Sequence, residues 1–341
     1  MSLAVELLGV RGSVPVPGSD VIRYGGNTSC VRLTLSDGTN LILDAGTGIR
    51  GLDVPHEDGE IHILLTHLHL DHIQGLLFFK PFFDANAEIV VWGPPPDDPP
   101  LRDMLARYLS TPLSPVEIRE LPARVSFRTV PLDGFRIGSP DIESDRVLHR
   151  GVTLGYRVRD GTDALCYLPD HEPALGRALN EADDDWISGI DLARGASLLI
   201  HDGQFGSEEY ESRIGWGHSS VSDALLFARR AEVEQMLLFH HDPAHDDEYL
   251  DTLGGQAVED WTALGAPSEA VALAQEGRTS VYQQLPPRPT GRVPKRVGGG
   301  RHRASRIDLP EMVLAYAPVC RGCSRRERTG VHRDLGWFDA A

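Results

Sequence analysis

Residues 64–75 read "LLTHLHLDHIQG", and within them stands His67-x-His69-x-Asp71-His72. Three imidazoles and a carboxylate packed this closely make a poor hydrophobic core and an odd solvated turn. As metal ligands they make sense. His67 and His69 project from one side of an extended segment, while Asp71 and His72 turn away to reach a second ion. Imidazole and carboxylate suit zinc and related borderline cations. The apolar "IHILL" in front of the cluster reads as a short strand that delivers it at its end.

Three more short apolar runs end the same way: "ALCYLPD" at Asp170, "SLLIHD" at Asp202 and "MLLFH" at His240. In layered α/β folds, sites gather where strands end and loops begin, so four such ends point to one shared site. The last run continues as "HHDPAH". Neighbouring side chains on a strand face opposite ways, so His240 and His241 do not serve one site equally. His171 competes with Asp170 beside it. His62, inside "IHILL", reads as a packed or solvent-facing strand residue.

The composition, 41% hydrophobic and 24% charged over 341 residues, is that of a soluble globular protein. No apolar run approaches the roughly 20 residues of a membrane span. The opening "MSLAVELLGVRGS" lacks the basic start and apolar core of a secretory signal. Four cysteines in a chain of this size do not make a disulfide framework, and a cytoplasmic setting is expected. Residues 286–341 hold 12 Lys and Arg against 5 Asp and Glu, while the preceding 285 hold 21 against 45. An acidic body repels polyanions, so long nucleic acid is not an expected partner, and no membrane is.

The first 50 residues alternate apolar and polar positions, and "SDGTN" between two apolar runs marks a hairpin. The proline cluster "GPPPDDPP" (93–100) leads into a helix around "LRDMLARYL", and "VSDALLFARRAEVEQ" (221–235) reads as another helix. Ser220-x-x-Asp223 supplies an acidic capping box at its start. Strand meanders followed by alternating strands and helices argue for a layered α/β domain. The Pro-, Gly- and Arg-rich stretch 285–306 sets a boundary near 285. Beyond it, residues 286–341 read as a flexible basic tail. Its Cys320-x-x-Cys323, with His332 nearby, lacks the second pair that a structural zinc needs.

Taken together, these residues resemble a metallo-β-lactamase-fold hydrolase over residues 1–285. "THLHLDH" matches that superfamily's HxHxDH motif. "NLILDAGTG" (40–48) resembles the strand and turn before it, where Asp44 supports the site from behind. "VLHRGVTLGYRV" (147–158) resembles the strand-like stretch carrying the next histidine, His149, and "CYLPDH" (166–171) the strand ending in a bridging aspartate, Asp170. The opening "GVRGSVPVPGSDVIRYGGNTSCVRL" (9–33) is similar to the phosphodiesterase-like branch, which includes ribonuclease Z relatives and phosphonate-pathway cyclic phosphodiesterases.

The resemblance implies a four-layer αββα sandwich and two divalent ions, zinc with manganese as the alternative. His67, His69 and His149 would hold the first ion, Asp71, His72 and the late histidine the second, and Asp170 would bridge them. The family pattern places that last ligand at the strand end, at His240 rather than His241. A hydroxide bridging the ions would attack the substrate, with Asp71 orienting it. "LLIHDGQF" (198–205) and "GWGHSS" (215–220) resemble the ribonuclease Z-like arrangement in which an acidic residue, here Asp202, orients a non-ligand histidine, here His218, that protonates the leaving oxygen. The plainer role for His218 is to precede a helix cap at Ser219 or Ser220. Only 20 residues separate His149 from Asp170, too few for the arm with which ribonuclease Z enzymes grip tRNA. With the acidic body, this points to a small, cyclic or linear anionic phosphodiester as substrate. Thioester or lactone hydrolysis and RNA processing stand as alternatives, and a homodimer is among the open oligomeric states.

Overall fold

The computed structural model describes residues 3–55, 59–95 and 98–278. The boundary near 285, the basic tail and its Cys320-x-x-Cys323 lie outside the described residues.

Short apolar runs separated by turns build two sheets. The first has the order β1 (Ala4–Gly9), β2 (Cys30–Thr34), β3 (Asn40–Leu43), β4 (Ile61–Leu64), β5 (Glu88–Gly93) and β6 (Arg124–Thr129). β1, β2 and β3 run antiparallel, as the alternating N-terminal pattern predicts, and the "SDGTN" turn sets Thr34 opposite Asn40. From β3 to β6 the neighbours are parallel. β3 and β4 are buried at every residue, which suits parallel strands covered on both faces.

The second sheet contains β7 (Phe135–Arg136), β8 (Asp141–Arg146), β9 (Leu154–Asp160), β10 (Asp163–Leu168), β11 (Leu198–Asp202), β12 (Gln235–Phe239) and β13 (Val271–Leu273), in spatial order β13-β12-β11-β10-β9-β8-β7. β10 to β13 are parallel, so their C-terminal ends lie along one edge.

Three apolar clusters fix the layers. Between the sheets, Leu33, Leu43 and Leu64 meet Tyr156, Leu165, Ile200 and Phe239. Outside the first sheet, Ile42, Ile63 and Val91 pack with Ile73 of α1 (Leu70–Ile73) and with Leu101 and Leu105 of α2 (Leu101–Ala106). Outside the second, Leu199, Met236 and Leu238 pack under α3 (Ile190–Ala193), α5 (Val221–Arg230) and α6 (Asp247–Ala263). A single turn, α4 (Ser207–Tyr210), follows β11. The result is a four-layer αββα sandwich.

Helix α5 is shorter than the 221–235 pattern predicts. Glu232 takes a positive φ of 56° and ends the helical run, and Glu234 donates its N–H to Ala196 O as the chain turns into β12.

Candidate metal centre

The ligand-type residues converge on one end of the sandwich. After β4 the chain bends at Thr66, and His69 is the N-cap of α1. Asp71 and His72 therefore lie within a helical turn, which is why they point elsewhere than His67. From the second sheet come Asp170, two residues past β10, Asp202, the last residue of β11, and His240, directly after β12. His149 departs from its strand-like expectation: it sits in the bend between β8 and β9.

These residues form two adjoining groups, His67–His69–His149 and Asp71–His72–Asp170–His240, each with ligand atoms within 4.8 Å of one another. Asp170 touches both. Its Oδ1 is 3.8 Å from His67 Nε2, 3.6 Å from His149 Nε2 and 3.4 Å from His240 Nε2, and its Oδ2 is 3.0 Å from His72 Nε2.

Hydrogen bonds on the far side of the His149, His72 and His67 rings settle which nitrogen of each faces inward. Gly217 O can only accept, so His149 Nδ1 donates to it at 2.7 Å and presents the Nε2 lone pair to the site. His72 Nδ1 likewise donates to Asp44 Oδ2 at 2.8 Å. The Thr66 hydroxyl donates to the Asp44 carboxylate and accepts from His67 Nδ1 at 3.0 Å. Fully buried Asp44 thus orients His72 directly and His67 through Thr66, and Tyr167 OH donates to it as well. Such partners are what fix the tautomer of ligating histidines.

The residues fit a pair of divalent cations. His67 Nε2 is buried with no hydrogen-bond partner, and His72 Nε2 and Asp170 Oδ2, though 3.0 Å apart, form no hydrogen bond with each other or with any other described residue, a costly arrangement for polar atoms. All three face the two groups. Burial pushes His67 well below its ordinary value and His149 down to about 4, leaving both rings in the neutral form that ligates. Burial also opposes charge on His72 and His240, but the carboxylates outweigh it. Asp170, Asp71 and Asp44 raise His72, and Asp170, Asp71 and Asp202 raise His240 to about 9. The carboxylates demand positive charge at that point, and a divalent ion meets the demand.

The two adjacent histidines are distinguished by the backbone. His240 takes a left-handed φ of 63°, which swings its ring inward, with Nε2 3.2 Å from Asp71 Oδ2 and Nδ1 3.3 Å from Gln204 Oε1. His241 points away and donates Nε2–H to Ala274 O at 2.9 Å. His171 also faces away from Asp170: its Nδ1 lies 2.9 Å from His201 Nε2. His62 is buried in β4, beside Trp92.

Asp202 and His218 adjoin these groups, and His218 shares further triads within 4.8 Å with His149 and Asp170 and with Asp202 and His240. Asp202, fully buried, accepts from the N–H groups of Gln204 and Ser219 and from His218 Nδ1, at 3.0, 3.1 and 2.7 Å. The His218 ring stacks on His240 at 4.9 Å and 15° and meets the His149 ring at 4.9 Å. Ser220, not Ser219, caps α5 by accepting from Asp223 N–H.

Several supporting residues escaped the sequence reading. Thr66 directly precedes the histidine cluster, and its hydroxyl was a usable signal. Gln204, Tyr167, Gly217 and Ser13, whose N–H donates to Asp71 Oδ2 at 2.8 Å, reach the site only through the fold.

A four-layer sandwich with two His/Asp groups at the strand ends defines a metallo-β-lactamase-fold hydrolase. Residues 39–241 match the Beta-lactamase superfamily domain, more than half of the chain, and the protein belongs to that family. Ribonuclease Z of Haloferax volcanii is 25% identical over 70% of this chain and 84% of its own length. Ribonuclease Z of Natronomonas pharaonis is 27% identical over 78% of this chain and 99% of its own. Among solved structures, the metallo-beta-lactamase fold protein YhfI from Bacillus subtilis superposes with a TM-score of 0.59 at 19% identity, over 82% of this chain and 99% of that one. That last likeness carries the fold alone.

Proposed function

We propose that the protein is a phosphodiesterase that cleaves a small anionic phosphodiester, with His218 as general acid. The observation that carries this reading is the 2.7 Å bond from His218 Nδ1 to buried Asp202, set against the metal groups. With Nδ1–H committed to Asp202, the ring exchanges protons through Nε2, and a departing alkoxide is the group that most needs one. General acid help of this kind is worth about 10²–10⁴-fold.

His67, His69 and His149 would hold one cation, and Asp71, His72 and His240 the other, with Asp170 between them. Zinc suits this imidazole-rich set best. Such ions supply Lewis acidity towards a phosphoryl oxygen and make hydroxide available near neutral pH. Asp71, held by Ser13 N–H, stands ready to orient the nucleophile.

Two features favour a small substrate over RNA, despite the ribonuclease Z relatives. The interval between His149 and Asp170 is taken up by β9 and β10, which are joined by a tight turn pairing Asp160 with Asp163, leaving no chain for an arm. The body before residue 286 is strongly acidic. We take residues 1–285 as the catalytic domain and 286–341 as an appended basic tail. RNA binding that is salt-dependent and vanishes when 286–341 is deleted would favour the nuclease reading. Among the described residues no helix is long and apolar enough to cross a membrane. Cys30 and Cys166 are buried free thiols, which suits a cytoplasmic setting.

The test is turnover of bis-p-nitrophenyl phosphate and of 2′,3′- and 3′,5′-cyclic nucleotides by zinc- or manganese-loaded protein, together with His218→Ala. The variant is expected to keep its metal content and lose about 10²–10⁴-fold in kcat. Loaded protein that ignores every phosphodiester but cleaves thioesters or lactones overturns the substrate class. Loss of metal in His218→Ala makes that residue a ligand instead.

A further inference from the structure

Two residues beyond Asp170 lies a carboxylate that the reaction above does not use. Glu172 is fully buried and accepts hydrogen bonds from three donors. Its Oε1 accepts from Gly215 N–H at 2.8 Å and Tyr210 OH at 2.9 Å, and its Oε2 from Gly217 N–H at 2.8 Å. Its own N–H donates to Leu148 O at 2.9 Å, one residue before His149. One glutamate therefore ties together two loops that no strand pairing joins, the 148–149 bend and the 215–217 segment.

Those loops carry the two histidines whose placement matters most. Gly217 O accepts from His149 Nδ1, and His218 is the next residue. The segment is tightly shaped: Gly215 and Gly217 have φ of 83° and 93°, and a Cβ on Gly217 would lie 2.5 Å from His149 Nδ1. Only glycine fits there, so Gly217 contributes no side-chain contact of its own to hold the segment. Burying a carboxylate is expensive unless donors surround it. Here the donors are mainly amides of the segment that aims His149 and His218.

We propose that Glu172 is a positioning residue, setting His149 and His218 at once by gripping the 215–217 segment. This rests on the phosphodiesterase reading for its effect on rate, but not for its effect on His149 as a ligand. The two parts can therefore fail separately.

The experiment compares full-length wild type with Glu172→Gln, Glu172→Asp and Tyr210→Phe. Zinc partitioning from the loaded protein to a chromophoric chelator is measured alongside kcat and KM on bis-p-nitrophenyl phosphate. The glutamine side chain keeps the shape but turns an NH2 group towards a backbone N–H. It is expected to weaken zinc retention about tenfold and to lower kcat about 10–100-fold, the usual size for groups that orient ligands, with KM within about twofold. Tyr210→Phe removes one donor without releasing the segment and is expected to leave zinc retention unchanged. Glu172→Asp keeps the charge but withdraws it by one methylene, and it is expected to show both losses at smaller size. It decides the matter if the glutamine variant does not fold. A folded Glu172 variant with wild-type zinc retention and wild-type kcat overturns the proposal, as does an equal loss of zinc in Tyr210→Phe. If wild type cleaves no phosphodiester, the function reading fails while the zinc measurement still judges Glu172.

Discussion

His240 holds a backbone conformation that costs a non-glycine residue about 1–3 kcal/mol, and its surroundings explain how it persists. Gly12 packs so close that a Cβ there would stand 2.5 Å from the His240 ring, and the next residue is pinned by His241 N–H to Val10 O at 3.0 Å. The conformation sends one ring to the site and its neighbour to Ala274. His240→Ala is accordingly expected to lower bound zinc from two ions per chain towards one. His241→Ala should keep both ions but lose about 1–3 kcal/mol of stability by leaving the Ala274 carbonyl unpaired. Metal analysis and urea unfolding on the same samples check this, and loss of zinc in the His241 variant would reverse the assignment. Residues such as His67, His69, Asp71 and His72 are legible in sequence because four ligand-type side chains sit within six residues. Gln204, which supports His240 from 36 positions away, is not. Its relevance exists only once β11 and β12 lie side by side. Glu172 is less legible still, since its partners are backbone amides that carry no sequence signal.

At the level of elements, parallel pairing accounts for the shared site. Leu168 pairs with His201, and Asp202 with Phe239, so the ends of β10, β11 and β12 come level and their terminal side chains meet. Recurrent strand ends in His or Asp are visible in the sequence, whereas the register that brings them level is set by packing across the whole sheet. The segment carrying His218 is fixed at both sides. Phe205 N–H donates to Ser219 O and Val221 N–H to Phe205 O, and α5 then starts at its Ser220 cap. Ser220→Ala removes the acceptor for Asp223 N–H and should cost about 1 kcal/mol. Because the bridge to Phe205 is made by backbone, kcat should stay within about threefold of wild type. Urea unfolding and steady-state kinetics measure the two effects, and an unchanged unfolding midpoint would mean that the cap contributes nothing. The helix boundary itself was misjudged by pattern: Ala231–Glu234 continues the apolar spacing, but the left-handed turn at Glu232 overrides it.

For the molecule as a whole, the decisive fact is that the candidate ligands come from both sheets. His67, His69, Asp71 and His72 follow β4 of the first sheet, while His149, Asp170 and His240 follow β8, β10 and β12 of the second. Between the sheets lies an apolar interface of Leu, Val, Ile and aromatic side chains, which is not directional and leaves the polar end to be closed by other means. That end brings together the carboxylates of Asp71 and Asp170 and several inward lone pairs, and His67 Nε2, His72 Nε2 and Asp170 Oδ2 find no hydrogen bond there. Ions held by these residues would turn this liability into a clamp across the sandwich. A ligand that binds only the folded state adds about 2.7 kcal/mol when its free concentration is 100 times Kd. At about 2.1 cal/mol/K of unfolding entropy per residue, a folded body of roughly 280 residues shifts its melting midpoint by about 2 °C per kcal/mol. Stripping both ions with a chelator, about 5 kcal/mol in all, should therefore lower the midpoint by about 10 °C, and re-adding zinc should restore it. His149→Ala, which removes one ligand from the His67–His69–His149 group, should fall between the two states and respond less to the chelator. The expectation is checked by calorimetry on samples whose zinc content is measured before and after. If loaded and stripped protein melt together, the ions bind the folded chain no better than the unfolded one, and the two groups do not clamp the fold.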